Sequence, residues 1–456
     1  MKRGLVFYLW VILIMGGGAQ AQTQPQARVL TFQEALKIAL KNAILLNQQK
    51  NNLESSQMQK YSSIAGLGPT LSGNVSAGRV DGNTFNQQEG KVINGIFDQF
   101  SGSLNANLTL FNGFSQLNRA RGYSSLADAQ SYFINRTTQD VINNVSLQYM
   151  QVLLDGELLK IARENFAVLQ KQLDQIKEQV TLGSRSPVDE YNQDSQTKAA
   201  EIKALQAEIN LVNSRALLTQ TLLFDPVEEF DVVKPEWDAN TINADNMALP
   251  ALLDLSLKNR GDYLRAEKIE DGARYGMYAA KAGMMPSISA YYSIYSAYNH
   301  AHEDPNVRPF NAQFKQDNLK KFYGVQMYIP IFGGNQNLQN RSLYVQQKVL
   351  FQNSRILKKN AEVQVKTDVL KAYKNFELVK RTYVVSLDQL KSAEIAFQYE
   401  TERYNLGVTD FVTYLNANRV FVQSQTDKAG AEYRLVFQKI LLDYAAGTLK
   451  PEDITQ

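Results

Sequence analysis

The feature that most constrains this fold is an internal repetition of short motifs, always in the same order. The tripeptide Leu40–Asn42 returns at Leu257–Asn259, an offset of 217 residues. Farther along, Leu182–Gly183 matches Leu406–Gly407 at an offset of 224 residues. Ordered matches at a slowly growing offset indicate a duplication, which predicts two copies of one long unit. Repeat 1 covers 22–224 and repeat 2 covers 247–447, with a linker at 225–246 and a C-terminal tail at 448–456.

The first residues predict export from the cytoplasm. Lys2 and Arg3 precede an apolar run at Leu5–Met15, and Ala19 and Ala21 form a small-x-small cleavage signal. This order is typical of a secretory signal peptide, predicted here at 1–21. The alternative is an uncleaved membrane anchor, but a helix needs about 20 apolar residues to span a bilayer. We therefore favour cleavage.

Each repeat contains two segments in which apolar and polar residues alternate. Leu104 and Leu108, for example, fall on one face, and Asn105 and Asn107 fall on the other. Such alternation predicts β-strands, at about 69–80 and 101–112 in repeat 1 and at about 286–299 and 321–332 in repeat 2. A soluble sheet is the alternative. The polar faces carry few charges, however, and the 23 tyrosines suit an aromatic girdle, so transmembrane strands are favoured.

Two very long helices are predicted to follow the strand pairs. No proline interrupts the chain from Phe114 to Thr181, and the counterpart at 335–405 is similar in length. Each helix would be on the order of 100 Å long, at about 1.5 Å per residue. Alternating three- and four-residue spacings of apolar residues predict coiled-coil seams. These seams comprise Leu159, Ala162, Phe166, Leu169, Leu173, Ile176 and Val180, and then Ile202, Leu205, Ile209 and Val212 in the next helix.

Short, similar turns are predicted to join the long helices into hairpins. Gly183 and Gly407 stand where a C′ glycine ends a helix. Three residues later, Ser186 and Asp410 are good N-caps, and Pro187 suits the first helical position. Turn chemistry alone is equally consistent with ordinary helical hairpins. Two equivalent tips on such long hairpins nevertheless favour a docking surface.

Four membrane strands in one chain require other copies of the chain. The smallest bacterial outer-membrane barrels have about eight strands, and lipid does not tolerate unpaired strand edges. A dimer would supply eight strands and a trimer twelve. The trimer is favoured because it leaves a wider lumen for cargo.

Composition excludes several classes of function. There is no cysteine, which excludes disulfides and Cys-based metal sites, and only two histidines are present. The net charge of +3 argues against nucleic-acid binding. Neither a phosphate-binding loop nor a GxSxG motif occurs, so we expect no enzymatic activity and no cofactor. The cluster of His300, His302, Glu303 and Asp304 is predicted to be a solvated loop rather than a metal site.

At this point the sequence resembles the TolC-type outer-membrane efflux proteins over nearly the whole mature chain. The resemblance rests on the order of four motifs: Leu30–Leu36, Leu110–Gly113, Pro330–Gly334 and Arg403–Gly407. It implies a mainly α-helical chain with a transmembrane β-barrel, in which a homotrimer forms twelve strands above a periplasmic helical barrel. The linker would belong to an equatorial region. The implied partners are outer-membrane lipid, a periplasmic adaptor and an inner-membrane pump that supplies energy.

The resemblance also assigns functional positions near the hairpin tips. A tyrosine–aspartate hydrogen bond that helps to close the channel corresponds to Tyr404 and Asp189. Two aspartates of an acidic constriction ring correspond instead to Thr413 and Asn416, which predicts weak cation binding unless Asp410, Glu190 or Asp194 rebuilds the ring. The basic residue of a further closing link corresponds to Thr409. The tips that would contact the adaptor comprise Leu182, Gly183, Ser184, Leu406, Gly407 and Val408.

A structural or adhesive coiled-coil surface protein is the alternative function. It would account for long helices and secretion, but it does not account for two strand pairs embedded in a duplication. Residue patterns do not specify the cargo, because small-molecule efflux and protein secretion would use the same duct.

Overall fold

A computed structural model describes residues 28–86, 90–227, 230–235, 248–302, 307–331 and 334–449. The predicted signal peptide at 1–21 lies outside the described residues, as do most of the linker and most of the tail. Repeat 1 contains β1 (Arg28–Leu30), α1 (Phe32–Asn42), α2 (Ile44–Ala65), β2 (Thr70–Asn86), β3 (Lys91–Phe111), α3 (Ser115–Thr181) and α4 (Pro187–Leu222). From the linker onward come β4 (Phe230–Val232), α5 (Leu249–Asn259), α6 (Gly261–Lys281), β5 (Ser287–Ala301), α7 (Phe310–Ala312), β6 (Lys320–Tyr328), α8 (Gly334–Asn405) and α9 (Phe411–Ala446).

The first helical segment of each repeat is broken once. The breaks fall at Ala43, with ψ 110°, and at Arg260, with ψ 113°. A ψ value in the extended range interrupts the helical hydrogen-bond ladder for one residue. Because 43 and 260 are 217 residues apart, the break itself is a duplicated feature.

The strands differ in length from the prediction. β2 and β3 pair without interruption from Thr70–Asn107 to Asn86–Lys91, so this hairpin extends well beyond the predicted segments. β6 ends at Tyr328, four residues before the predicted end at 332. Pro330 accounts for the early end, because proline has no N–H to donate to a neighbouring strand.

The four long strands form one antiparallel sheet in the order β2-β3-β5-β6. Its two faces differ in chemistry, as the alternation predicts. The polar face is tied by hydrogen bonds between side chains, from Ser76 to Ser101 at 2.7 Å and from Ser293 to Asn105 at 2.6 Å. The register places large aliphatic and aromatic side chains on the other, apolar face. That face includes Leu71, Val75, Leu104, Leu108, Ile288, Tyr292, Ile294, Tyr323 and Val325.

The main core lies where the long helices pass the small parallel sheet of β1 and β4. Tyr149 of α3 is fully buried there, and its hydroxyl lies 2.8 Å from the carbonyl oxygens of both Leu30 and Val233. Phe32 packs against the Tyr149 ring at 5.2 Å between centroids. The phenol therefore links α3 to both strands of the small sheet. None of the helices in the described ranges combines the length and apolar composition needed to cross a membrane.

The predicted seam of α3 is largely buried within the chain, whereas the seam of α4 is exposed. α4 instead faces α3 with polar and small side chains, and Gln193 and Thr197 both donate hydrogen bonds to the Leu169 carbonyl. The opposite side of α4 carries large aliphatic residues that are 53 to 66% exposed. We call Ile202, Leu205, Ile209 and Val212 the α4 stripe.

Candidate functional site

The two hairpin tips have the same backbone architecture. Gly183 has φ +74° and Gly407 has φ +72°, the left-handed conformation expected of a C′ glycine. In the first tip, Ser184 N–H donates to the Gln179 carbonyl at 2.9 Å. In the second, Val408 N–H donates to the Arg403 carbonyl at 2.8 Å. Together with the glycine N–H bonds to Val180 and Tyr404, these pairs form matching Schellman motifs.

Each following helix begins with a side-chain cap. The Ser186 hydroxyl accepts from the Val188 N–H at 3.3 Å, and the Asp410 carboxylate accepts from the Thr413 N–H at 2.9 Å. The Thr413 hydroxyl also donates to Asp410, at 2.9 Å. These hydrogen bonds, led by the backbone N–H of Thr413, lower the pKa of Asp410. The Schellman hydrogen bonds at one end and the capping bonds at the other thus fix both ends of each turn.

The turns present apolar side chains to solvent. Leu182 is 81% exposed, Leu406 is 78% exposed and Val408 is 64% exposed. Equivalent leucines therefore project from both tips.

Tyr404 lies at the centre of a contact between the two hairpins, close to their tips. Its ring stacks on Tyr414 with 4.8 Å between centroids, and its hydroxyl accepts a hydrogen bond from Arg185. The Arg185 guanidinium also lies 4.7 Å from the Tyr404 ring centroid. Tyr414 is fully buried, and its hydroxyl accepts a hydrogen bond from Gln172 of α3. Burial raises the pKa of Tyr414.

The predicted pairing of Asp189 with Tyr404 does not form within one chain. Among the described residues, the side chain of Asp189 has no hydrogen-bond or ion-pair partner. The Tyr404 hydroxyl instead accepts its hydrogen bond from Arg185. Thr413 is held by the Asp410 cap, and Asn416 is exposed on α9. Sequence patterns do not single out Arg185, Gln172 or Tyr414. The position of Arg185 one residue after a predicted tip was the available signal.

No group of three potential metal-ligating side chains occurs within the described ranges. His300 and His302 are described, and the His302 ring lies 2.8 Å from an Asp98 carboxylate oxygen. Glu303 and Asp304, which complete the predicted loop cluster, lie outside the described residues.

A large open groove runs along four helices next to the sheet. It has a volume of about 1530 Å³ and is lined by α2, α3, α6 and α8. Amide, hydroxyl and small side chains dominate, and Glu54 and Arg119 are the charged residues among its described lining residues. Leu343, Leu350 and Leu357 form an apolar line along its α8 side. The groove thus mixes polar and apolar side chains, exposes more apolar than polar surface and carries little charge.

Comparison with known proteins assigns the family. The model of the outer membrane efflux protein family matches residues 35–222 and 252–448, one match for each repeat. The chain belongs to the outer membrane efflux protein family. Because members of this family are efflux proteins of the outer membrane, the chain is an outer-membrane efflux channel. This confirms the predicted family, location and export function, and it favours export over an adhesive role.

Individual relatives of the efflux family agree. The chain is 22% identical to the outer membrane protein TolC of Vibrio cholerae over 371 residues, which cover 78% of each protein. It is 24% identical to the pyoverdine export outer membrane protein OpmQ of Pseudomonas aeruginosa, over 81% of this chain and 75% of OpmQ. The crystal structure of VceC from Vibrio cholerae has the same fold, with a TM-score of 0.78 and 15% identity, over 91% of this chain and 96% of VceC.

Proposed function

We propose that three copies of this chain close into one continuous duct through which an inner-membrane pump and a periplasmic adaptor export cargo. The observation that carries the proposal is the sheet, whose edge strands β2 and β6 have no neighbour on their outer sides among the described residues. An unpaired edge is not tolerated in lipid, so each β6 must pair with β2 of the next copy. Three chains then supply twelve strands.

The helices support the same assembly. The long helices pack in the order α4-α3-α9-α8, which leaves α4 and α8 at opposite edges. The α4 stripe lies on one edge, and α8 carries exposed apolar residues seven or eight positions apart on the other. These are Val363, Leu370, Leu378 and Val385, and they are 44 to 64% exposed. Packing α4 of one copy against α8 of the next would bury both sets.

The proposed lumen begins at the groove along α2, α3, α6 and α8. All four helices contribute to one concave surface, and closing three such surfaces around an axis makes a tube. A wall that mixes amides, hydroxyls and apolar side chains and has few charges would hold permeating molecules weakly. Weak binding allows passage, whereas tight binding would stop it.

At the far end, the tips Leu182–Ser184 and Leu406–Val408 are proposed to dock the adaptor. Their exposed leucines supply apolar contacts, and the Schellman turns hold them in a fixed orientation. Energy for transport would come from the pump, because the sequence contains no phosphate-binding loop.

We further propose that Asp189, Tyr404, Thr413 and Asn416 surround the gate. Within each chain, Arg185 joins the α3–α4 turn to Tyr404 at the end of α8. This contact ties the two hairpins together and would have to break for the hairpins to separate. Asp189 lies four residues after Arg185 and remains available to a neighbouring copy.

Single-channel conductance of the purified protein in a planar bilayer tests this function. We expect a low resting conductance that rises in Tyr404→Phe, which keeps the stacked ring but loses the hydroxyl. Arg185→Gln should open the channel further, because it removes the cation–π contact as well. Arg163→Gln, on the same helical hairpin but distant from the tip, is the matched control. If neither the wild type nor any variant formed a pore, the proposed duct would be contradicted.

Cation block separates the gate assignment from the duct. Because Thr413 and Asn416 are uncharged, we expect trivalent cations to block the open channel only weakly. Strong block would show that acidic residues such as Asp189 or Asp410 form the constriction. Asp189→Asn would then be expected to abolish the block.

A further inference from the structure

The connection between β5 and β6 folds back onto the apolar face of the sheet. Phe314 lies 5.5 Å from Phe100, and Phe310 lies 5.2 Å from Tyr298, measured between ring centroids. A Cβ added to Gly102 would lie 3.3 Å from the Phe314 ring, so the glycine leaves room for that ring. We call Phe100, Tyr298, Phe310 and Phe314 the aromatic shelf.

The register establishes which side of the sheet carries the shelf. Phe100 pairs with Tyr298 and Gly102 pairs with Ser296, while Leu104 pairs with Ile294 two residues farther along. Alternate residues of a strand share a face. The shelf therefore lies on the same face as the large aliphatic residues, not on the polar face.

Hydrogen bonds hold the connection in this position. Gln313 is 2% exposed, and its side-chain amide bonds to the N–H and carbonyl of Asn299 at 3.1 and 2.9 Å. Ser296 donates to the Phe314 carbonyl, and Asn318 donates to the Ala297 carbonyl at 2.8 Å. A buried glutamine with satisfied bonds on both sides makes the shelf a built part of the fold.

The shelf lies at the height of the outer membrane interface. From Ile288 at the helical end of the sheet to Tyr298, ten residues of strand rise about 33 Å at roughly 3.3 Å each. A strand tilt of about 40° reduces this rise to about 25 Å, the height of the apolar band of a membrane barrel. The aromatic shelf thus lies at the outer boundary of the apolar band.

Two lysines without an ion-pair partner among the described residues accompany the shelf. Lys321 lies opposite Ile294 in the sheet, which places a cation on the apolar face. Ile294 precedes Ser296 by two residues on the same face of β5. Lys315 directly follows Phe314 and is exposed. Neither lysine forms an ion pair with another described residue. Arg308 is instead paired with Asp317 at 3.2 Å, and Arg79 is paired with Asp98 at 2.7 Å.

We propose that Lys315 and Lys321, supported by the aromatic shelf, bind the phosphorylated headgroup of an outer-leaflet lipid. A lysine on a lipid-facing surface extends its charge toward the interface, where phosphate is the counterion. The aromatic rings pack against the upper acyl chains, as rings do in interfacial belts. The inference rests on the outer-membrane location and does not require the proposed gate or adaptor contact.

Native mass spectrometry of the detergent-purified full chain with added diphosphorylated lipid A tests the proposal. We expect the wild-type protein to retain this lipid about tenfold more tightly than the double variant Lys315→Gln/Lys321→Gln. Lys315→Arg/Lys321→Arg should restore binding, because it restores the charge. Lys371→Gln/Lys391→Gln, which removes two exposed lysines from α8, is the charge-matched control and should bind as the wild type does.

Two further binding experiments identify which part of the lipid the lysines recognise. Dephosphorylated lipid A should bind as weakly to the wild type as the intact lipid binds to the glutamine variant. Inorganic phosphate at millimolar concentration should not displace the lipid, because it lacks the acyl chains that contact the shelf. Equal retention of intact and dephosphorylated lipid, or equal retention by the wild type and the glutamine variant, would overturn the proposal. Conductance measured on the same variants shows separately whether the duct is intact.

Discussion

At the scale of single residues, the tips depend on two glycines whose φ angles are positive. A β-branched side chain in this conformation costs about 1–2 kcal/mol or more. No atom within 4 Å would obstruct a Cβ at Gly183 or Gly407, so the cost comes from the backbone and not from a clash. The turn should therefore change shape without disturbing the rest of the hairpin.

We expect Gly183→Val/Gly407→Val to assemble normally but to lose most adaptor cross-linking and export. Gly430→Val is the matched control, because a Cβ at Gly430 would also meet no atom within 4 Å and its φ is not positive. Site-specific cross-linking to the adaptor measures docking, and native mass spectrometry measures assembly. Full export by the double variant would show that the tips are not part of the docking surface.

Tyr149 gives a prediction about pH. Burial raises the pKa of its phenol to about 12, whereas an unfolded tyrosine ionises near about 10. Below about pH 10 the phenol is protonated in both states, so its contribution to stability is complete. As the pH rises from about 10 to 12, only the unfolded state ionises, and stability is lost.

Thermal unfolding followed by circular dichroism should therefore show a steeper decline between about pH 10 and 12 for the wild type than for Tyr149→Phe. At neutral pH the variant should be less stable by about 1–2 kcal/mol, because it leaves buried backbone groups without their hydrogen-bond partner. Tyr278→Phe, at an exposed tyrosine, is the control. Parallel pH profiles for the wild type and Tyr149→Phe would contradict the assignment.

At the scale of elements, the junction of α5 and α6 is held by one buried cation. The Arg260 side chain is 2% exposed and bonds to Asp262 at 2.6 Å and to Asp368 at 3.1 Å. It also donates to the Ala445 carbonyl near the end of α9. One side chain therefore connects α6, α8 and α9 at the break between helices.

Arg260→Met should lower the free energy of unfolding by about 3 kcal/mol, because it leaves two carboxylates without their partner. Denaturant unfolding measures this loss. Arg355→Met provides a control, since the Arg355 side chain is 66% exposed and lies 4.0 Å from Glu270. Equal losses of unfolding free energy in both variants would mean that the burial of Arg260 does not increase its contribution to stability.

Sequence periodicity predicted most elements because their signals are local. Alternation located all four long strands, and the absence of proline located both long helices. The break at Arg260 could not be predicted in this way, since it depends on Asp368 and Ala445, more than 100 residues away. The Arg185–Tyr404 contact is likewise long-range. The sequence therefore shows an arginine next to the first tip but does not show that Tyr404 is its partner.

At the scale of the whole molecule, the seam on α4 shows what a sequence pattern leaves open. The spacing of Ile202, Leu205, Ile209 and Val212 predicts a helix–helix contact but does not identify the partner. Within one chain, α4 faces α3 with Gln193 and Thr197, and the seam remains exposed. The contact that the pattern predicts is therefore proposed to lie between copies.

Leu205→Glu/Ile209→Glu should prevent or weaken the trimer, because charges would be buried between helices. Native mass spectrometry should show mostly monomers, with unchanged helical content by circular dichroism. Gln206→Glu/Asn210→Glu shifts the same changes by one residue, about 100° around α4, and should remain trimeric. Loss of the trimer in both variants, or in neither, would place the interface elsewhere.

The duplicated Schellman turns have a consequence for stoichiometry. The proposed trimer would repeat each residue three times around its axis, yet it would present six turns of nearly the same shape. Ser184 and Arg185 in one turn correspond to Val408 and Thr409 in the other, so the six positions alternate between two chemistries. Six identical partner subunits, one on each turn, would meet the same backbone shape but two different side-chain surfaces. The affinities of these six contacts should then divide into two classes of three, as a consequence of the internal duplication.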